Sequence, residues 1–208
     1  MITSLTRSQL LSRGARVGTA LLIGGSAAGT LAVPADGAPP AAALGSVGAA
    51  DLAYARLLVG VELLLIDFYT NAIAAGHLSA GALADARVAL INETEHYAFL
   101  AYAIRSAGLT PLTAADVDFS YPAASYYSAS SVEQLAVTLE TVALGAYLGS
   151  AGVVANPVLA SAIAQITANE AEHVGAWSAR TARPAFHDAF TAALTIAEAS
   201  DALDAYAS

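Results

Sequence analysis

The chain has no cysteine and no lysine, and its only methionine is Met1. Without cysteine there are no disulfides, no Fe–S cluster, no iron held by four thiolates, no thiol catalysis and no lipidated cysteine anchor. With no internal methionine there is no Met-held haem, and no haem is expected. Eight arginines against 17 acids leave a net charge of −9. That argues against nucleic acid and anionic membranes as partners, since both select basic surfaces, and suits metal cations better. Charged residues make up only 12% of the chain, whereas 57% is hydrophobic, much of it Ala. Ala is the best helix former, so composition points to an all-α fold. At 208 residues there is room for one domain with a substantial core, plus a tail.

Residues 1–35 read as an export signal: Arg7, Arg13 and Arg16 precede a Gly/Ala-rich apolar stretch that ends at Val33-Pro34-Ala35, the expected cleavage site. The stretch is short and Gly-rich for a spanning helix, so no stable membrane anchor is expected after cleavage. Thr6-Arg7-Ser8-Gln9-Leu10-Leu11 is similar to a twin-arginine signal with Ser in place of the second Arg, which leaves the export route open. Removal of the signal takes three Arg and no acid, leaving a charge of about −12. A Pro/Ala/Gly-rich linker, residues 36–50, follows.

Apolar residues then recur at helical spacing over residues 51–75, and Gly76 is a natural stop. Ser79 is placed to cap a second helix to about residue 107, ended by Gly108 and Pro111. A third is expected to open at Ser130 or Ser131, since Ser130 to Glu133 and Ser131 to Gln134 both have capping-box spacing, and to fade over residues 149–152. Asn156 followed by Pro157 starts a fourth that ends near Arg180, and Thr195 with Glu198 caps a short fifth to about Tyr206. Four helices of about 25 residues would each be about 37 Å long. The connections within the first and second pairs are short, but residues 108–129 separate the pairs. Such a stretch is the crossover of a bundle with one long connection. Phe119, Tyr121, Tyr126 and Tyr127 are expected to hold it against the bundle.

The most informative pattern is Asn92-Glu93-Thr94-Glu95-His96, repeated 77 residues later as Asn169-Glu170-Ala171-Glu172-His173. Glu and His at i and i+3 share one helix face. A shuffle of this composition would give about 0.15 such pairs, so two are not coincidence. Each pair has a lone Glu upstream in an apolar run, Glu62 and Glu140, and each lone Glu has a Tyr seven residues on, Tyr69 and Tyr147. The offsets between halves are 78, 78, 77 and 77 residues, so one helical hairpin is repeated. Four carboxylates against two divalent ions would be neutral. Without metal, crowding of the buried acids should raise their pKa values and favour partial protonation, and metal binding should release protons and stabilise the fold.

This ordered set resembles the ferritin-like dimetal-carboxylate four-helix bundles, and within them the exported group called desiccation-related. The resemblance spans residues 51–182 and leaves residues 183–208 as a tail with a short helix. It implies that Glu62, Glu93, His96, Glu140, Glu170 and His173 are both metal ligands and the catalytic set, with Glu93 and Glu170 bridging two metals. Glu62 with His96 would complete one metal, and Glu140 with His173 the other. The implied cofactor is a dinuclear Fe or Mn centre, with Zn also able to bind, and the implied partners are metal ions and O2 or peroxide.

Three functions fit such a site: an exported oxidoreductase of ferroxidase or peroxide-detoxifying type, a metal store, and a stress-protective bundle with a non-catalytic centre. With no cysteine there is no built-in electron donor, which favours reactions whose substrate brings the electrons. Tyr69 and Tyr147 read equally as partners of the ligands, by hydrogen bond or redox, and as core tyrosines satisfied by a carboxylate. Asn92 and Asn169 could steady a ligand or make surface contacts; Glu95 and Glu172 read as solvated acids, Asp67 as exposed or interfacial. His77 and His187 carry no pattern. The tail's Phe186, Phe190, Leu194, Ile196, Leu203 and Tyr206 can dock on the bundle or on a second subunit of a homo-oligomer.

Overall fold

The computed structural model describes residues 44–184 and 189–208. Among them are α1 (Ala49–Ala75), α2 (Ala80–Ser106), a 3-10 turn (Ala114–Asp116), α3 (Ala129–Ala151), α4 (Pro157–Ser178) and α5 (Ile196–Asp204). This is the all-α four-helix bundle expected, with one long crossover and a short C-terminal helix. The signal, the linker up to residue 43, Phe186 and His187 lie outside the described residues.

The helix ends follow from local chemistry. Gly76, at φ 72°, closes α1, and Ser79 Oγ accepts from Ala82 N at 3.2 Å to open α2. Asn156 Oδ1 accepts from Val158 N (3.1 Å) and Leu159 N (3.0 Å) ahead of Pro157, and Thr195 with Glu198 forms the cap of α5. α3 departs from expectation. It opens at Ala129, because Ser128 Oγ accepts from Ser131 N and Ser131 Oγ from Ser128 N, both at 3.1 Å. Neither Ser130 nor Ser131 is the cap; Ser130 Oγ instead accepts from Gln134 Nε2 at 2.9 Å.

The start of α1 is also tied to the other hairpin. Asp51, buried, accepts from Gly48 N (3.2 Å), Ala155 N (2.8 Å) and Asn156 N (3.2 Å), which fastens the α3–α4 turn. Asn156 Nδ2 donates to Leu44 O (2.5 Å) and Ser46 O (3.3 Å), so the chain ahead of α1 lies against the bundle with Leu44 buried.

Short turns make α1 and α2 one antiparallel pair and α3 and α4 another. The pairs meet mainly through α1 against α3, while α2 and α4 barely touch, and α5 lies across α1 and α3. α1 is long and apolar enough to cross a membrane by composition, but here those residues form the core, with Leu58, Leu65 and Phe68 fully enclosed. The tail reaches α3 at two glycines. Leu194 N donates to Gly145 O at 2.8 Å, and Leu194 O sits 1.8 Å from where a Cβ on Gly149 would be. Only glycine permits that approach. Leu194, Ile196, Leu203 and Tyr206 pack on the bundle, whereas Phe190 is exposed.

The crossover is held from both sides. Tyr121 OH donates to Asp67 Oδ2 (2.9 Å) and Leu64 O (3.2 Å) on α1, and Tyr97 OH donates to Leu112 O (2.9 Å). The chain end pairs with it through Ser120 N to Tyr206 O (2.7 Å) and Ser208 N to Asp118 O (3.1 Å). Phe119, Tyr121 and Tyr126 pack against the core as expected. Tyr127 does not; it is exposed.

Candidate metal centre

Glu62 from α1, Glu93 and His96 from α2, Glu140 from α3, and Glu170 and His173 from α4 meet in the bundle interior. All four carboxylates are 0% exposed, and the histidine side chains are 11% and 10% exposed. The six form two overlapping groups whose ligand-type atoms lie within 4.8 Å of one another: Glu62, Glu93, His96 and Glu170, and Glu93, Glu140, Glu170 and His173. Glu93 and Glu170 belong to both.

The atoms make the sharing concrete. Glu93 Oε2 lies 3.1 Å from His96 Nδ1, and its Oε1 lies 2.9 Å from His173 Nδ1. Glu170 Oε1 is 3.2 Å from His96 Nδ1 and its Oε2 is 3.9 Å from His173 Nδ1. Each lone Glu faces one histidine, Glu62 Oε2 at 3.8 Å from His96 Nδ1 and Glu140 Oε1 at 3.5 Å from His173 Nδ1.

Does this donor set fit a metal? Glu62 Oε2, Glu93 Oε1, Glu140 Oε2, both oxygens of Glu170 and His173 Nδ1 are buried without a hydrogen bond. His173 Nδ1 and Glu93 Oε1 are close in distance but not aligned as a hydrogen bond. Leaving so many buried polar atoms unsatisfied is costly, and convergence of their lone pairs on shared space is what a cation relieves. The cluster can therefore hold metal, and its mixed carboxylate and imidazole donors suit Fe, Mn or Zn.

The charge state without metal follows from the same geometry. Burial pushes Glu62 up to about 8, reinforced by the Glu93 charge. Burial and Glu93 likewise drive Glu170 well above the usual range. Burial acts on Glu93 in the same direction, but contacts with His173 and His96 outweigh it and hold Glu93 at about 2. Burial disfavours charge on the imidazoles, yet the carboxylates around them raise His96 to about 12 and His173 to about 11. Glu62 and Glu170 thus hold protons, as crowding predicts, whereas Glu93 does not, because both imidazoles turn to it.

Tyr69 and Tyr147 contact the ligands, each across the bundle. Tyr69 OH donates to Glu140 Oε1, and Tyr147 OH donates to Glu62 Oε1. Both tyrosines are fully buried, and burial next to those acids raises their pKa values well above normal. Each bond occupies Oε1 of a lone Glu and leaves its Oε2 without a hydrogen bond; in Glu140 the occupied Oε1 is also the oxygen 3.5 Å from His173 Nδ1. Asn92 also reaches the site, with Nδ2 3.1 Å from His173 Nε2, whereas Asn169 turns to Glu172 Oε2 at 3.4 Å. Glu95, Glu172 and His77 are exposed, and Asp67 is the acceptor of the crossover contact.

Trp177 was not singled out by the sequence. Its Nε1 donates to Tyr69 OH at 2.7 Å, and the rings stack at 6.0 Å. A signal existed: Glu170, His173 and Trp177 stand at i, i+3 and i+7 on α4, one stripe of a helix.

A four-helix bundle with a long crossover, enclosing four carboxylates and two histidines that could hold a metal ion, has the architecture of the ferritin-like helical proteins. Comparison with known families agrees: the model of the family described as ferritin-like domain matches residues 50–183, so the chain belongs to that family. No curated protein matches the chain at a significant level.

Proposed function

We propose that this is an exported, desiccation-related type of ferritin-like protein that binds two Fe or Mn ions and carries out redox chemistry with O2 or peroxide. The observation that carries the reading is that Glu93 and Glu170 each present one oxygen to each histidine, the arrangement a bridging carboxylate needs. Bound Fe or Mn would supply a two-electron change and Lewis acidity at one place.

The chain's own residues have separate tasks. His96 and His173 aim Nδ1 inward. Tyr147 and Tyr69 each hold one oxygen of Glu62 and Glu140 and so orient the other. Glu62 and Glu170 carry protons in the metal-free site and can return them as charge changes. The histidine side chains, 11% and 10% exposed, are the only members of the set that are not fully enclosed, and so slight an exposure suits small oxidants better than an organic substrate. Export rests on the arginine-led apolar segment of residues 1–35.

Elemental analysis of the purified protein with Glu93→Ala and Glu170→Ala, followed by stopped-flow mixing of the Fe(II)-loaded form with O2 and peroxide, tests the reading. Two metals per chain, lost in the variants, with ferric absorbance that recycles, is the expected result. Metal content indifferent to the variants would sink the dimetal site, and two metals without reaction would leave a stabilising centre. Fractionation of expressing cells checks export, which fails if the protein stays inside with its first 35 residues attached.

A further inference from the structure

The six ligand-type residues obey the internal repeat, but the groups behind them do not. His173 Nε2 is met by the amide of Asn92 at 3.1 Å. At the repeat-related place, Asn169 bonds Glu172 instead, and among the described residues no protein group meets His96 Nε2. The tyrosines differ in the same sense. Tyr69, which holds Glu140, takes a hydrogen bond from Trp177 Nε1 at 2.7 Å, so its own proton is committed to the carboxylate. Among the described residues Tyr147, which holds Glu62, has no such donor; the residue that corresponds to Trp177 by the 77-residue offset is Leu100.

Resting on the dimetal reading, we propose that the two positions are unequal, and that the one bounded by Glu140 and His173 takes the first divalent cation and holds it more tightly. Partners behind metal ligands fix ring tautomer and carboxylate orientation, and losing one typically costs 10–100-fold in affinity. Asn92 serves either tautomer of His173. Its Nδ2 suits a ring with the proton on Nδ1, and a half-turn of the amide brings Oδ1 to accept Nε2–H and leaves Nδ1 free for a cation. His96 has no protein group behind Nε2 among the described residues, so only its Nδ1 side, through Glu93 Oε2 at 3.1 Å, orients the ring. Glu140 is likewise fixed by a backed tyrosine, and Glu62 by an unbacked one. Glu93 and Glu170 are common to both positions, so the difference proposed is that of the groups behind His173 and Glu140.

The test is a titration of the metal-free full chain with Mn(II), counting free Mn(II) by its electron paramagnetic resonance signal while following tryptophan fluorescence. Trp177 is the only tryptophan in the chain, and it is linked through Tyr69 to Glu140. Expected are two binding classes separated by about 10–100-fold, with the fluorescence change complete at the first equivalent. Asn92→Ala should weaken the tight class until the two merge, Asn92→Asp should keep it because an acceptor remains, and Asn169→Ala should leave the separation intact. Trp177→Leu, which copies the first half, should narrow the gap as read by Mn(II) counting. Two equal classes, fluorescence that waits for the second equivalent, or a separation indifferent to Asn92→Ala would overturn the inequality while leaving two bound ions. Fewer than two ions, unaffected by Glu93→Ala, would overturn the dimetal reading and the inequality with it.

Discussion

The first hairpin contributes Glu62, Glu93 and His96, and the second contributes Glu140, Glu170 and His173, at offsets of 77 or 78 residues. In that set the halves match residue for residue: a lone Glu held by a Tyr from across the bundle, a shared Glu, and a histidine with Nδ1 turned inward. One step outward they part. Phe68, which packs beside Tyr69 at 5.0 Å, corresponds to Ala146, and Trp177 corresponds to Leu100. The difference teaches where physics constrains the chain. Four enclosed carboxylates must be compensated together, so a change in either half disturbs both. Behind them any side chain that fills space and satisfies the tyrosine suffices, and the halves are free to differ.

The sharpest way to break the match is to separate shared from unshared ligands. Glu93→Ala or Glu170→Ala should abolish binding of both metals, whereas Glu62→Ala or Glu140→Ala should leave about one, as read by elemental analysis. In the metal-free protein, removing Glu93 strands two imidazoles and should cost about 3–5 kcal/mol in urea unfolding. Equal metal loss in all four variants would mean that no ligand is shared.

Titration tests the halves together. Glu62, raised to about 8 from 4.5, contributes its stability fully below pH 4.5 and loses it as pH rises through 8. The two histidines, raised to about 12 and 11 from 6.5, contribute fully below 6.5 and lose that stability progressively as pH rises from 6.5 through those values. Glu93, lowered to about 2 from 4.5, contributes above 4.5 and loses it as pH falls through 2. Above about pH 5 the slopes share one sign, so the metal-free melting temperature should fall from about pH 5 to pH 9, and the metal-loaded one should not. Metal loading at neutral pH should release protons, measurable in weak buffer, and affinity should rise with pH. A metal-free melting temperature that climbs over that range would contradict the charge assignment.

The tail offers a third contrast, because Leu194 meets α3 at Gly145 and Gly149, whose counterparts on α1 by the 78-residue offset are Asp67 and Asn71. Gly149→Ala places a methyl where Leu194 O lies and should cost about 1–3 kcal/mol and expose the tail to proteolysis. Gly152→Ala, with open space around it, is the control.

How much of this could be read in advance depended on range along the chain. Glu93 with His96 and Glu170 with His173 are i, i+3 neighbours, and an isolated Glu in an apolar run such as Leu139-Glu140-Thr141 stands out, so the six residues and the bundle were legible. The α3 start was not, because Ser128, Ser130 and Ser131 can all cap, and the reciprocal bonds between Ser128 and Ser131 put the cap at Ser128. The crossed pairing of Tyr69 with Glu140 and Tyr147 with Glu62 depends on how α1 meets α3, which no local spacing encodes. Trp177 and the Gly145/Gly149 notch escaped for the same reason: their partners, Tyr69 and Leu194, are remote in sequence.

The tyrosines and asparagines give the finest comparison. Tyr69→Phe strands both Glu140 Oε1 and Trp177 Nε1, whereas Tyr147→Phe strands only Glu62 Oε1. A stranded buried partner costs about 1–3 kcal/mol, so the first variant should be the less stable by about 1 kcal/mol or more in metal-free urea unfolding. Asn92 and Asn169 each directly precede a shared Glu, yet only Asn92 reaches a ligand. Asn92→Ala should therefore cost about 1 kcal/mol, and Asn169→Ala should stay within about 0.5 kcal/mol of the parent. Equal costs at the two asparagines, with unequal costs at the two tyrosines, would locate the difference between the halves in the aromatic pair alone.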